Sequence, residues 1–126
     1  MTLAFVFPGQ GSQSIGMLAE LGAAYPEVQQ TFAEASAALG YDLWQLCQQG
    51  PESQLNSTEC TQPAMLAAGI ATWRVWRARG GRAPDVVAGH SLGEFSALVA
   101  AGSLDFAVAA DLVRWRGRFM QEAVPA

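Results

Sequence analysis

The chain has one histidine, two cysteines and seven basic residues among 126, and each scarcity removes a class of function. Cys47 and Cys60 stand thirteen positions apart with neither a CxxC pair nor a histidine cluster beside them, so there is no zinc spacing and no disulfide framework. Both thiols are expected to be reduced and structural, and no metal site is expected. Seven basic against eleven acidic residues leave a formal charge of −4 and an isoelectric point near 4.8. Nucleic-acid partners select basic stripes, and none is present. The opening "MTLAFVFPGQ" carries no Lys or Arg ahead of its apolar run, which Pro8 cuts short. It reads as neither a secretory signal nor a membrane span, and the expectation is a cytoplasmic protein. No internal repeat or low-complexity linker is visible.

What is present suffices for a core: 51% hydrophobic against 14% charged residues fits one domain or part of a larger one. "LAFVF" (residues 3–7) is a short apolar run of β-favouring residues ended by Pro-Gly, the pattern of a strand buried on both faces. Helices are expected over "GMLAELGAAY", over "PEVQQTFAEASAALG" with Pro26 in its first turn and Gly40 past its end, and over "YDLWQLCQQG". "GPESQLNSTECTQP" reads as turn-rich. "AMLAAGIATWRVWRARGG" then gives a long helix with arginines in its last turn and glycines as its stop. A second strand, "DVVAG", precedes two further helices, "GEFSALVAAG" and "LDFAVAADLVRWRGRFMQEAV". Two strands joined by a long helical crossover leave a parallel sheet without cover or edge partners. With "EAVPA" forming a Pro-containing turn after the last helix, the expectation is the N-terminal piece of a larger α/β protein.

The second strand runs into "GHSLGE" (residues 89–94), and strand, G-x-S-x-G, helix is the context of a nucleophile elbow. Gly89 and Gly93 permit the tight turn and the close crossing of strand and helix, leaving the Ser91 hydroxyl exposed at the strand's carboxyl end. The amide of Leu92, at the head of the following helix, is free to donate to an oxyanion. The alternative is that Ser91 simply caps that helix. A serine needs a base at hydrogen-bond distance. His90, the only histidine, adjoins Ser91 at a strand end, where successive side chains project to opposite faces. Its ring is expected to point away and support the elbow from behind, so the base must come from elsewhere. The other informative loop, "FPGQGSQ" (residues 7–13), follows the first strand and should share a crevice with Ser91.

Arg116 stands out on helical spacing alone. Arg114 and Arg118 share one face, expected to be solvated, whereas Arg116 falls on the stripe of Ala109, Leu112, Val113 and Met120. A guanidinium on an apolar stripe needs a carboxylate, and no acid within one turn of the stripe supplies it. Either a protein carboxylate such as Glu94 does so or a substrate carboxylate does.

Together, "FPGQGSQ", "LNSTECTQPA", "GHSLGEFSALVAAG" and "RGRFMQEAVP" resemble, over the whole chain and in order, the malonyl-CoA:acyl carrier protein transacylases of fatty acid synthesis. The acyltransferase domains of polyketide synthases are more distantly similar. The resemblance implies that Ser91 takes the malonyl group from coenzyme A as an ester and passes it to the phosphopantetheine thiol of acyl carrier protein. It implies Gln10 and Leu92 as the oxyanion hole, Gln62 lining the site and Arg116 gripping the malonate carboxylate. It implies an α/β fold in which residues 1–126 are the N-terminal half of the α/β-hydrolase-like larger subdomain, helix-rich with few strands. The catalytic histidine and a ferredoxin-like subdomain would lie beyond residue 126. Malonyl-CoA enters as a substrate, no cofactor or metal is implied, and the partners are acyl carrier protein but no nucleic acid or membrane, the full-length enzyme being a monomer. Two rivals remain: an α/β-hydrolase esterase, against which stand Glu94 and the PGQGSQ loop, and an inactive fragment or carrier-protein docking module.

Overall fold

A computed structural model describes residues 1–124, so the Pro125 turn read from the sequence lies outside the described residues. The order is β1 (Ala4–Phe7), α1 (Ala19–Ala24), α2 (Pro26–Leu39), α3 (Leu43–Gln49), α4 (Glu52–Leu55), α5 (Thr58–Ala78), β2 (Val86–Gly89), α6 (Leu92–Ala100) and α7 (Phe106–Ala123). This is the helix-rich α/β arrangement expected, with one two-stranded parallel sheet among the described residues.

Local chemistry places most element ends. Pro26 opens α2, where its missing N–H leaves no carbonyl unpaired, and Gly40 closes it in the left-handed region at φ +84°. Asp42 caps α3 by accepting from the Gln45 N–H at 3.0 Å, and Asp105 caps α7 by accepting from Val108 at 3.1 Å. Two readings are corrected. The helix expected over residues 16–25 is only the short α1, because Leu18 adopts a left-handed φ of 64° just before it. The segment expected to be turn-rich holds α4 and the whole first turn of α5, with Pro63 inside the helix. Gly50, Pro51, Asn56 and Ser57 stay outside the helices, while the preference of Pro63 is overridden by burial, since every residue from Thr61 to Ala68 is enclosed.

Helix α5 is the hub, packed against α2, α6 and α7. Its buried Leu66 and Ile70 join Val28 and Phe32 of α2, Leu43 of α3, Leu92 of α6 and Val113 of α7 in one core. Strands β1 and β2 pair in the register Ala4↔Val86 to Phe7↔Gly89. Among the described residues Val6 is 75% and Val86 54% exposed, in line with the expectation that these two strands leave their sheet without cover. The exposed Ala4, Val6, Val86 and Ala88 pair with one another, so one face of the sheet lies open. On the covered face Phe5 packs edge-on against Trp73 at 5.3 Å. The pair is tied at its start by the Asp85 carboxylate, which accepts from the Leu3 N–H at 2.8 Å. That bond and Arg82 hold the Asp85 carboxyl below its ordinary value.

Cys47 and Cys60 are both free thiols. Burial, with Cys60 nearby, pushes the Cys47 thiol up to about 12, which keeps it protonated and unreactive. No described helix is long and apolar enough to cross a membrane.

Ser96 of α6 is fully buried, and its hydroxyl has no hydrogen-bond partner among the described residues. It faces Gly69 of α5, where an added Cβ would lie 3.5 Å from the hydroxyl oxygen. A buried unsatisfied hydroxyl costs desolvation without return, so Ser96→Ala should stabilise the fold by about 1 kcal/mol. Urea denaturation should show a raised midpoint at unchanged slope; a lowered midpoint would show that the hydroxyl has a partner in solution.

Candidate active site

The carboxyl ends of β1 and β2 lie side by side, and the helix that follows β2 starts against both. This requires backbone to touch backbone. A Cβ on Gly93 would lie 2.1 Å from the Phe7 carbonyl oxygen, and one on Gly89 would lie 2.0 Å from the Gly93 carbonyl oxygen. Only glycine fits at either position. Between them Ser91 is held at φ 55°, ψ −114°, a conformation that costs a non-glycine residue on the order of 1–3 kcal/mol. Ser91 makes no side-chain cap to α6, which removes the helix-cap reading. The strained turn presents its hydroxyl outward, as an elbow does.

The loop after β1 lies on this elbow, as neighbouring parallel strands predict. A Cβ on Gly9 would come within 2.8 Å of the His90 carbonyl oxygen and 3.8 Å of the Leu92 nitrogen. The side chain of Leu92 is buried, while its N–H and that of Gln10 have no hydrogen-bond partner among the described residues. Both ends of the Gln10 side chain are turned to α5: its Nε2 donates to Thr58 Oγ1 and its Oε1 accepts from Gln62 Nε2, each at 3.4 Å. His90 is exposed and makes no side-chain hydrogen bond among the described residues, to Ser91 or to any support behind the elbow.

Arg116 completes the cluster. Its guanidinium donates to Gln62 Oε1 at 2.7 Å and to Ser91 Oγ at 3.1 Å, with the Phe95 ring 5.4 Å from its carbon. Five arginines of the chain pair with acids. Arg116, half-buried, forms no ion pair among the described residues, and Glu94, the alternative partner, is exposed. The stripe around it is corrected in part: Ala109 and Val113 are buried, but Leu112 is 45% and Met120 40% exposed. Arg116 thus sits at the rim of the α5–α7 contact, where it reaches the open site. Arg114 is also corrected, being half-buried with its guanidinium donating to the Leu39 carbonyl at 2.8 Å and pairing with Asp111; Arg118 is solvated as expected.

The five residues singled out in the sequence, Gln10, Gln62, Ser91, Leu92 and Arg116, therefore meet in one place. Residues that position them were missed. A Cβ on Gly117 would lie 2.5 Å from the Thr58 carbonyl oxygen, so a glycine next to Arg116 lets α7 lie directly on the head of α5. Gln121, one turn later, accepts from the Glu59 N–H at 2.9 Å and caps that same head. Both stand in the quoted "RGRFMQ" stretch, yet nothing in helical spacing marks them. The described residues contain no group of three metal-ligating side chains. The arrangement sets the Ser91 hydroxyl beside a guanidinium and two N–H groups without partners among the described residues, donors of the kind that suit an oxyanion and an anionic group.

Comparison with known proteins agrees with this geometry. The model of the acyl transferase domain matches residues 4–126. The chain belongs to the acyl transferase domain family. Within that family it is 68% identical over 97% of its length to the malonyl CoA-acyl carrier protein transacylase of Salmonella typhimurium, of which it covers 40%. The crystal structure of an acyl carrier protein S-malonyltransferase from Vibrio cholerae superposes with a TM-score of 0.98 at 61% identity, covering the whole of this chain and 41% of that one. A malonyl-transacylase solved in complex with its type II PKS acyl-carrier protein gives 0.97 at 65% identity, covering 99% of this chain and 40% of that one. The chain spans about two fifths of the length of the curated relatives it matches. The fold class expected for an acyl transferase is the one found.

If Gly117 sets the approach of α7, Gly117→Ala should push the helix off α5 and destabilise the fold by roughly 1–3 kcal/mol through overpacking. Thermal unfolding checks this. A midpoint unchanged from the wild type would mean that α7 and α5 are not in contact at Thr58.

Proposed function

We propose that the chain forms the nucleophile-bearing part of a malonyl-CoA:acyl carrier protein transacylase, a monomer acting in the cytoplasm. The observation that carries this reading is the Arg116 guanidinium, bonded to both Ser91 Oγ and Gln62 Oε1 and without a carboxylate partner among the described residues. A positive group 3.1 Å from a nucleophile suits an acyl group that brings its own negative charge. A planar fork of donors binds such a carboxylate by two charge-assisted hydrogen bonds.

In the reaction, Ser91 Oγ attacks the thioester carbonyl of malonyl-CoA while a base takes its proton. The carbonyl oxygen becomes an oxyanion and accepts from the Leu92 and Gln10 N–H groups, the two amides beyond the strand ends that have no partner among the described residues. The tetrahedral intermediate collapses with loss of the coenzyme A thiolate, which takes up a proton, leaving malonate esterified to Ser91. The phosphopantetheine thiol of acyl carrier protein then attacks that ester by the reverse sequence and leaves as the malonyl thioester. The acyl group arrives activated, so the chemistry calls for no cofactor. His90 is exposed and has no bond to Ser91 among the described residues, and the resemblance to the transacylases implies that the base is a histidine outside residues 1–126. The transacylases that this chain is similar to, one of them solved with an acyl-carrier protein, support the choice of donor and acceptor over release to water.

Two outcomes are expected. Mixing the whole gene product with malonyl-CoA should give a malonyl adduct by intact-protein mass spectrometry, and Ser91→Ala should give none. Persistence of the adduct would move the nucleophile elsewhere. Residues 1–126 alone should turn over at least about 10⁴-fold more slowly, the typical cost of losing a triad's base.

Selectivity supplies the second test. Arg116→Ala should lower kcat/KM for malonyl-CoA by on the order of 10² or more, while activity toward acetyl-CoA holds or rises, because a methyl group leaves the guanidinium unpaired. Lysine should rescue little. Equal losses on both thioesters would reduce Arg116 to a scaffold residue.

A further inference from the structure

The Gln10 amide is useful only if the exposed loop that carries it is held still. The loop between β1 and α1 has glycines at positive φ, Gly11 at 108° and Gly16 at 85°, and so little intrinsic stiffness. The two bonds of the Gln10 side chain, both 3.4 Å, lie beyond the range of strong hydrogen bonds. Two shorter ones sit three residues away. Gln13 Oε1 accepts from the Gly11 N–H at 2.8 Å, and Gln13 Nε2 donates to Asn56 Oδ1 at 2.9 Å. One amide side chain therefore grips its own loop with one end and a distant segment with the other.

The distant segment is firm. Asn56 closes α4, its N–H bonded to the Glu52 carbonyl at 2.9 Å. Its neighbour Leu55 is fully buried. Two residues on, Thr58 begins the helix that carries Gln62. The loop and α5 are thus referenced to one another through Gln13 and Asn56.

We infer that Gln13 and Asn56 form a positioning clasp: by fixing the Gln10–Gly11 peptide, it sets the Gln10 N–H beside the Leu92 N–H for the oxyanion of acyl transfer. The inference rests on the proposed acyl-serine chemistry but not on malonate as the acyl group. With the clasp open, the loop still binds to nothing that the acyl carboxylate touches, so substrate binding should persist while the chemical step slows. A misplaced oxyanion donor costs on the order of 10–10² in rate.

The test uses the whole gene product with a fluorophosphonate probe, which phosphonylates a serine through an oxyanion-hole-dependent step and carries no malonyl group. Gln13→Leu and Asn56→Leu should each slow labelling of Ser91 by about 10–10²-fold. The double variant should be no slower than the worse single one, since both break one link. With malonyl-CoA, kcat should fall by the same factor at a KM within twofold. Hydrogen exchange at the Gly11 amide should quicken at least tenfold while α5 amides and the melting temperature stay unchanged. Asn56→Asp retains the acceptor and should label at close to the wild-type rate. Unchanged labelling in both leucine variants would overturn the clasp. So would a loss in Asn56→Asp equal to that in Asn56→Leu. A wild type that labels at Ser91 yet takes no malonyl group would overturn malonate as the substrate, and the labelling rates would still decide the clasp.

Discussion

Everything at the site depends on backbone meeting backbone at one point. The head of α6 touches the Phe7 carbonyl through Gly93, and the end of β2 touches Gly93 through Gly89. A single methyl group at either glycine would separate the two strand ends from the helix. That closeness forces Ser91 to φ 55°, lifts its hydroxyl clear of the sheet and leaves the Leu92 amide without an acceptor among the described residues. The strain is local and small beside the burial of Leu92, Phe7 and the α5 face that surround it. A well-packed surround of this kind is what keeps a disfavoured backbone in place.

The electrostatics of the site follow from what is withheld from it. Five arginines on this acidic chain have found carboxylates, and all five pairs are exposed enough to contribute little to stability. The guanidinium nearest the nucleophile is held by a neutral amide and a hydroxyl, neither of which cancels its charge. Gln62 is central to this economy. It is almost fully buried, and its oxygen satisfies Arg116 while its nitrogen faces Gln10 and Met120 Sδ. A carboxylate at position 62 would have neutralised the charge; an amide orients the guanidinium and leaves it available.

The elbow and its surroundings were legible because their signals are local. Gly89, Ser91 and Gly93 lie within one turn of chain, and a strand before and a helix after them could be read from short patterns. Arg116 was legible as a contradiction between charge and spacing, although the stripe that revealed it is only half buried, with Leu112 and Met120 in solvent. The misreading of the segment before residue 64 has a tertiary cause. Asn56 and Ser57 do form a turn between α4 and α5, but Pro63 is a turn former by local preference, and the enclosure of Thr61 to Ala68 by α2, α6 and α7 makes its segment helical. For the same reason Gly117 and Gln121 carried no signal. Their roles are contacts with the head of α5, some sixty positions away in sequence, and no periodicity encodes such a contact.

Pairing of β1 with β2 joins residues about eighty positions apart, with the five helices α1 to α5 to be stored between them. Loop closure on that scale is slow and contributes late, after local helices have formed. The turn that carries Ser91 is held in its disfavoured conformation in part by that closure, which brings the Phe7 carbonyl against Gly93. A newly made chain therefore has its helices before it has a nucleophile. Reactivity at Ser91 is in consequence a reporter of completed folding, silent in any partly collapsed state, however much helix such a state contains.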